Sequence, residues 1–323
     1  MTVDIAKLIE ESQTGIGGSD CAALFGKSPW KTIHEVYMSK IGLTKPETAP
    51  EPTIWQEIGL EMEPAITKLF LKRRPGKAVL EHPEFIRSKE YPFMIGHLDG
   101  LICGDGHVEP EGVLEIKTSG WGKADQWGLE GTDEVPENYN LQVHHYMALT
   151  GLGYAEIAVL LGGSDFKIFR VERNEKLIEA LIAQEKYFWE TYVVPQVPPP
   201  IDGTEGATRM LRAIYPDSDD TVISASEELH KTVLKFFGKR DEVEAREAEL
   251  LALKNEIIAS MEESGVLTGQ GYKITNKKTK DSVKVDYKAI VSELNPKVEV
   301  IERFSKVKDG YRVFRPGKFK KED

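Results

Sequence analysis

Three residues offer the most explicit chemistry in this chain. They lie in PFMIGHLDGLICGDGHVEPEGVLEIKTSG, Pro92 to Gly120. Two apolar segments flank a loop of glycines and acids. Each segment holds charge where a buried strand should hold none: Asp99 in the first, Glu115 and Lys117 in the second. Charge set into apolar strand sequence is costly to bury. Side chains alternate faces along a strand, so Val113, Glu115 and Lys117 share one face and Leu114, Ile116 and Thr118 the other. A hairpin of 93–103 with 113–118 would bring Asp99 beside Glu115. Adjacent carboxylates repel unless a cation lies between them. Oxygen ligands with no histidine or cysteine array suit magnesium or manganese rather than zinc. A lysine beside such an ion can hold a water or help deprotonate it, which is the equipment of metal-assisted phosphodiester hydrolysis. The alternative is a solvated cross-strand pair of Glu115 with Lys117. Asp105, Glu109 and Glu111 lie in the glycine-rich connection and read as solvated loop acids.

Those residues need elements to hold them. Residues 4–12 read as a short helix, followed by the glycine turn TGIGGSD. Ser19 or Asp20 can cap a helix from Cys21 to about Phe25. Ser28 and Pro29 read as the cap and first residue of the next helix, with a stripe of Ile33, Val36, Tyr37, Met38 and Ile41. KPETAPEPT (45–53) reads as a polar linker. Residues 54–74 are predicted helical from Ile58, Met62, Ile66, Leu69 and Phe70. Strands are predicted at 78–86, 93–103 and 113–118, and a helix at 138–150. The run 155–163 reads as a buried strand with FKIFRVER as its hairpin partner, followed by a helix over 174–193.

PQVPPP marks the expected domain boundary, near residue 200. Beyond it, Leu229, Val233, Phe236, Val243, Leu250, Ile257 and Met261 predict one long amphipathic helix from 227 to 263. Arg240, Glu247 and Lys254 interrupt its seam. GYKITNKKTKDSVKVD reads as a basic hairpin, YKAIVSEL as a helix, VEVIERFSKVKDGYRVF as a strand or strand pair, and the end as a tail.

The bulk numbers bound the partners. Among 323 residues, a net charge of −11 argues mildly against nucleic acid, although a local basic path can coexist with an acidic remainder. Two cysteines, Cys21 and Cys103, cannot form a disulfide framework and read as buried thiols of a reducing cytoplasm. No apolar run approaches membrane-spanning length, and we read no signal peptide and no membrane partner.

Four separated pieces together resemble one family. GIGGSD (Gly15–Asp20), GLEMEP (Gly59–Pro64), GHLDGL with LEIKTS (Gly96–Ser119) and YNLQVHHYMALTG (Tyr139–Gly151) stand in the order found in YqaJ-like viral recombinases. These belong with phage lambda exonuclease in the PD-(D/E)XK nuclease superfamily. The resemblance covers about residues 12–195. It implies an α/β (α+β) fold: a nuclease core at 1–200 with a central mixed β-sheet flanked by helices, followed at 201–323 by a C-terminal helix-plus-hairpin extension. It implies a magnesium-dependent 5′→3′ exonuclease, with manganese able to substitute and one or two ions per site. Such an enzyme degrades one strand of linear double-stranded DNA and leaves a 3′ overhang for a phage single-strand annealing protein, in the cytoplasm of a bacterial host. A trimeric ring is the implied homo-oligomer.

The resemblance also assigns residues. Asp99 and Glu115 match the metal-binding acids, and the carbonyl of Ile116 a further ligand. Lys117 matches the lysine that positions the attacking water. Glu63 matches the helical glutamate that completes the metal shell, whereas Glu57 and Glu61 read as exposed helix acids. Gln142 matches a glutamine near the catalytic centre, with Tyr146 one turn on. Gly18 and Ser19 match the turn that holds the 5′-phosphate, where backbone N–H groups meet an anion. Many relatives carry an arginine before that turn. Here the residues are EESQTG, with no basic residue nearer than Lys7, so Lys27 or Lys31 is the expected substitute. Two other readings stay open: a nicking or structure-specific endonuclease using the same metal site, and an inactive DNA-binding scaffold.

Overall fold

The computed structural model describes residues 10–44, 53–81, 85–104, 106, 109–219, 221–282, 284–306, 310 and 312–317. Lys7, Asp105, most of the 45–53 linker, most of the 4–12 helix and the last residues of the tail lie outside this set. The described chain forms two compact units, Met1–Pro216 and Asp217–Asp323.

In the first unit, strands β1 (Lys77–Glu81), β2 (Ile86–Arg87), β3 (Ile95–Gly96), β4 (Gly100–Gly104), β5 (Pro110–Ser119), β6 (Tyr154–Leu161) and β7 (Asp165–Glu172) follow in order. Five of them make one sheet in the order β1-β4-β5-β6-β7, and β2 and β3 pair separately. Neighbours are antiparallel except β5 and β6, so the sheet is mixed. A parallel pair needs a crossover, which the helix Glu137–Thr150 supplies between β5 and β6. The central strands are β-branched and buried, and β6 shows only Tyr154 partly exposed.

Among the described residues this unit includes the helices α1 (Gly18–Leu24), α2 (Ile33–Lys40), α3 (Ile54–Arg73), α4 (Glu137–Thr150), α5 (Glu175–Phe188) and α6 (Glu205–Ile214). The sheet is covered on both faces. Val113, Ile157 and Val159 pack with Val143, Tyr146 and Met147 of α4 and Ile178 of α5. Leu114, Ile116, Ala158 and Ile168 pack with Ile66 and Phe70 of α3. A further cluster joins Ile16, Val36, Tyr37, Met94, Phe188 and Met210.

Several boundaries differ from the sequence expectation, each for a local reason. Helix α1 begins at Gly18 with Gly17 as its cap, so Ser19 and Asp20 are not caps. Asp20 instead sits in the first turn and accepts the Gly17 N–H at 3.2 Å. Ser28 caps a turn, accepting from Trp30 and Lys31, and the helix starts only after Thr32. The predicted strand 93–103 is two strands with a break at 97–99, and 78–86 likewise divides. Glu111 is a strand residue that pairs with Lys77 and accepts the Tyr154 hydroxyl at 3.1 Å. The units divide after Pro216 rather than near 200. The reason is α6, which buries Met210 against α2 and pairs Arg209 with Glu35 at 2.7 Å.

The second unit holds α7 (Glu227–Met261), the hairpin β8 (Val266–Gly269) and β9 (Tyr272–Thr275), α8 (Tyr287–Leu294) and α9 (Val298–Phe304). The hairpin turns at Gly271, and the basic stretch after Thr275 is not its second strand. VEVIERF is helical, not extended. Asn295 closes α8 in the left-handed conformation and Pro296 follows, so the chain restarts as a helix capped at Lys297 despite three β-branched residues.

Candidate active site

Strand β5 carries the centre of the site. Its register with β4 pairs Gly100 with Leu114, which leaves Asp99 just beyond the ladder, level with Glu115. Asp99 is therefore not a strand residue. Its Oδ2 accepts the Ile116 N–H at 2.7 Å, so a side chain takes over where the backbone partner stops. Ile116 is held in register with Ala158 of β6, and its side chain is buried toward α3. The period-two reading of β5 stands: Leu114 and Ile116 pack on α3, and Val113 faces α4.

Glu115 is 1% exposed and forms an ion pair with Lys117 through Oε1. Its Oε2 is buried with no hydrogen-bond partner. Burial, then repulsion from Asp99, pushes the Glu115 pKa up to about 8, against the pull of Lys117. Glu63, on α3, is raised to about 7 by burial and by Asp99. Thr67 donates to the Glu63 carbonyl at 2.9 Å and steadies that turn. Burial opposes the charge of Lys117, but Glu115 and Asp99 more than offset it and raise its pKa. Lys117 therefore stays protonated. It can orient a water as a donor; it cannot take the proton.

These features test whether a cation fits. The donor set is all oxygen, two carboxyls are raised by burial and mutual repulsion, and a buried carboxylate oxygen lacks a partner. A hard divalent ion answers all three. The donor chemistry suits such an ion, while among the described residues the ligand atoms that all lie within 4.8 Å of one another are those of Cys21, His145 and Glu185.

Gln142 and Tyr146 share one face of α4, with Gln142 donating to the Tyr146 hydroxyl at 3.2 Å. Tyr146 carries the glycine turn: a Cβ on Gly18 would lie 2.6 Å from its ring. Ser19 is exposed in the first turn of α1. Lys31 is tied to Asp20 at 2.7 Å, and Lys27 to Glu137 at 3.0 Å. Asp20 is also bound at 2.6 Å by the buried Lys40. Burial would raise its pKa, yet the two lysines hold it far below the carboxylate range. An arginine of β2 reaches the start of the glycine turn. Arg87 donates to the Thr14 carbonyl at 3.1 Å and to its hydroxyl at 2.5 Å. Sequence reading missed it because Arg87 stands 73 residues from Thr14.

A second buried group was also missed. Cys21, His145 and Glu185 place possible ligand atoms within 4.8 Å of one another. His145 Nε2 donates to the Ile95 carbonyl at 2.8 Å, and Nδ1 meets Glu185 at 2.8 Å. The Ile95 carbonyl accepts from Nε2, and Glu185 favours the charged form of the imidazole. Burial works against that charge, but Glu185 raises the His145 pKa. The group ties α1, α4 and α5 together. Only the HH pair at 144–145 hinted at it.

The central strand of the five-stranded mixed sheet carries acids and a lysine. Residues 10–153 match the model of the YqaJ-like viral recombinase domain. A protein of Bacillus subtilis (strain 168) named YqaJ is 28% identical over 257 residues, 79% of this chain and 77% of that one. Among solved structures, an alkaline exonuclease from Laribacter hongkongensis is 18% identical with a TM-score of 0.46, covering 59% of this chain and 93% of that chain. A phage-related exonuclease from Haemophilus somnus 129PT is 15% identical with a TM-score of 0.40, covering 58% and 99%.

Proposed function

We propose that this protein is a divalent-metal-dependent deoxyribonuclease that degrades the 5′-ended strand of linear double-stranded DNA. The 3′ single strand it leaves would feed recombination by single-strand annealing. The observation that carries the reading is the buried, partnerless Oε2 of Glu115, set between Asp99 and Lys117 at the head of β4 and β5. Asp99, Glu115, Glu63 and the Ile116 carbonyl are the residues that would hold magnesium or manganese. The ion supplies charge that activates water and stabilises the leaving oxygen. Lys117, held protonated, donates to the attacking water and fixes its approach. Gln142 and Tyr146 support the floor between this centre and the glycine turn. Gly18 and Ser19 receive the terminal phosphate, with Arg87 bracing the turn from behind Thr14. The family supports the nuclease reading; the 5′→3′ direction, a trimeric ring around DNA and an annealing partner are our inference.

The test is a comparison of linear duplex, closed circular duplex and single-stranded DNA, with and without magnesium. We expect loss of the linear duplex alone, dependence on the ion and preference for a 5′-phosphate. Cleavage of closed circles would replace this reading with an endonuclease. Failure to cleave any substrate in magnesium or manganese would leave a DNA-binding scaffold.

A further inference from the structure

Trp30 lies outside the machinery described so far, yet it is joined to it. The residue is 58% exposed, a large apolar side chain to leave in water. Disorder does not explain the exposure. Ser28 Oγ accepts the N–H groups of Trp30 and Lys31 at 3.3 and 3.1 Å and pins the turn. The ring rests against Tyr139, with centroids 5.9 Å apart. Tyr139 in turn stacks on the buried Trp127 at 5.5 Å, which packs against Phe169 of the sheet at 5.2 Å. The indole is thus the outer end of an aromatic row rooted in the core. The row also touches the chemistry: Lys117 Nζ lies 5.4 Å from the Tyr139 ring centroid. One cation stands at the exposed end, and two more lysines, paired with Glu137 and Asp20, neighbour it in sequence. Lys123 Nζ sits 5.4 Å over the Trp30 ring, and Lys27 and Lys31 flank it in sequence.

A rigid exposed aromatic ring among lysines is the arrangement on which nucleic acid bases stack, because every base offers a π-face and its phosphate seeks the cations. Other exposed tryptophans lack the connection. Trp55 is 74% exposed on α3, and Trp121 packs over Gly162 at the β6–β7 turn. Trp30 alone of these three is joined through Tyr139 to the active-site lysine.

We infer that Trp30 is a base-stacking site, holding one nucleobase of the 5′-ended strand within three nucleotides of the terminus so that its phosphodiester faces Lys117. The inference rests on the nuclease reading for the identity of the ligand, and its test separates the two. Full-length wild type, Trp30→Ala and Trp30→Phe are compared on 5′-phosphorylated linear duplexes. One duplex is intact; the others carry a single abasic residue at the first, second or third position of that strand. Single-turnover cleavage in magnesium and equilibrium binding by anisotropy are both measured. For wild type, one abasic position should cost about tenfold in both readouts, the range of a lost stacking contact. Trp30→Ala should lose about the same on intact DNA and no longer distinguish that abasic duplex, whereas Trp30→Phe should restore most of the difference. This is a double-mutant comparison, and a merely structural tryptophan would lower all substrates alike. An equal loss on every duplex, or a wild type indifferent to all three abasic positions, overturns the stacking site. If no duplex is cut but the binding pattern holds, the stacking site stands and the nuclease reading falls. If no duplex is cut or bound, both fall.

Discussion

At the scale of the residue, the site is a conflict of charge that protein groups alone do not resolve. Glu115 is buried beside Asp99, and one lysine satisfies only one of its oxygens. The consequence is a stability that depends on pH in an unusual direction. Glu115 and Glu63 are raised in the fold to about 8 and about 7. Their protonated forms therefore stabilise the metal-free protein fully below the unfolded carboxyl pKa, and that contribution fades as pH climbs through the folded values. We expect the melting temperature in chelator to fall between pH 5 and about 8, and magnesium to restore more of it at pH 8 than at pH 6, because ions and protons compete for the same oxygens. A flat profile with no rescue by the ion would contradict a metal centre here. Glu115→Gln should flatten the same profile while abolishing cleavage. For Lys117→Ala we expect cleavage to fall at least a hundredfold with DNA affinity nearly unchanged, since positioning of the water is lost and phosphate contacts are not. A parallel loss of binding would count against that role.

At the scale of the element, the glycine turn and α4 work as one piece. A methyl group on Gly18 would meet Tyr146 at 2.6 Å, so Gly18→Ala must displace the ring or the turn, at a cost of about 1–3 kcal/mol. Denaturant unfolding measures it, and an unchanged midpoint would mean that the two elements are not seated on each other. Helix α6 gives a second test. A chain ending at Pro200 loses the buried Met210, and we expect about 2–5 kcal/mol less stability than for a chain ending at Pro216. Equal stability of the two truncations would return the boundary to the proline cluster. The buried His145–Glu185 pair fastens α4 to α5 beneath the turn. The raised His145 pKa makes its contribution greatest below the ordinary histidine value and lost as pH rises through the folded one.

At the scale of the whole molecule, acidity and the proposed DNA substrate must be reconciled. The net charge is −11, so any phosphate-binding path has to be local. Arg87 at Thr14 and Lys123 over Trp30 are local cations of such a path, while Lys27 and Lys31 are each engaged by an acid. No helix among the described residues is long and apolar enough to cross a membrane. The proposed trimeric ring has a direct test. We expect native mass measurement to give three copies, and a mass of one copy at micromolar concentration would remove the ring.

The sequence by itself determined the strand faces, the pairing of acid and lysine on β5, the long helix of the second unit and YKAIVSEL as a helix. Each is set by a period of two or about four residues, which backbone geometry imposes within a short stretch. Tertiary structure decided the rest. It moved Asp99 off the strand and onto the Ile116 N–H, brought Arg87 to Thr14, buried His145 against Glu185, and ran an aromatic row from Lys117 through Tyr139 to Trp30. These partners are far apart in the chain, and only the order of the sheet and the packing of helices upon it bring them within reach. The anomaly of charge in apolar strands was legible as a local pattern. Its meaning as a site depended on which distant groups the fold set beside it.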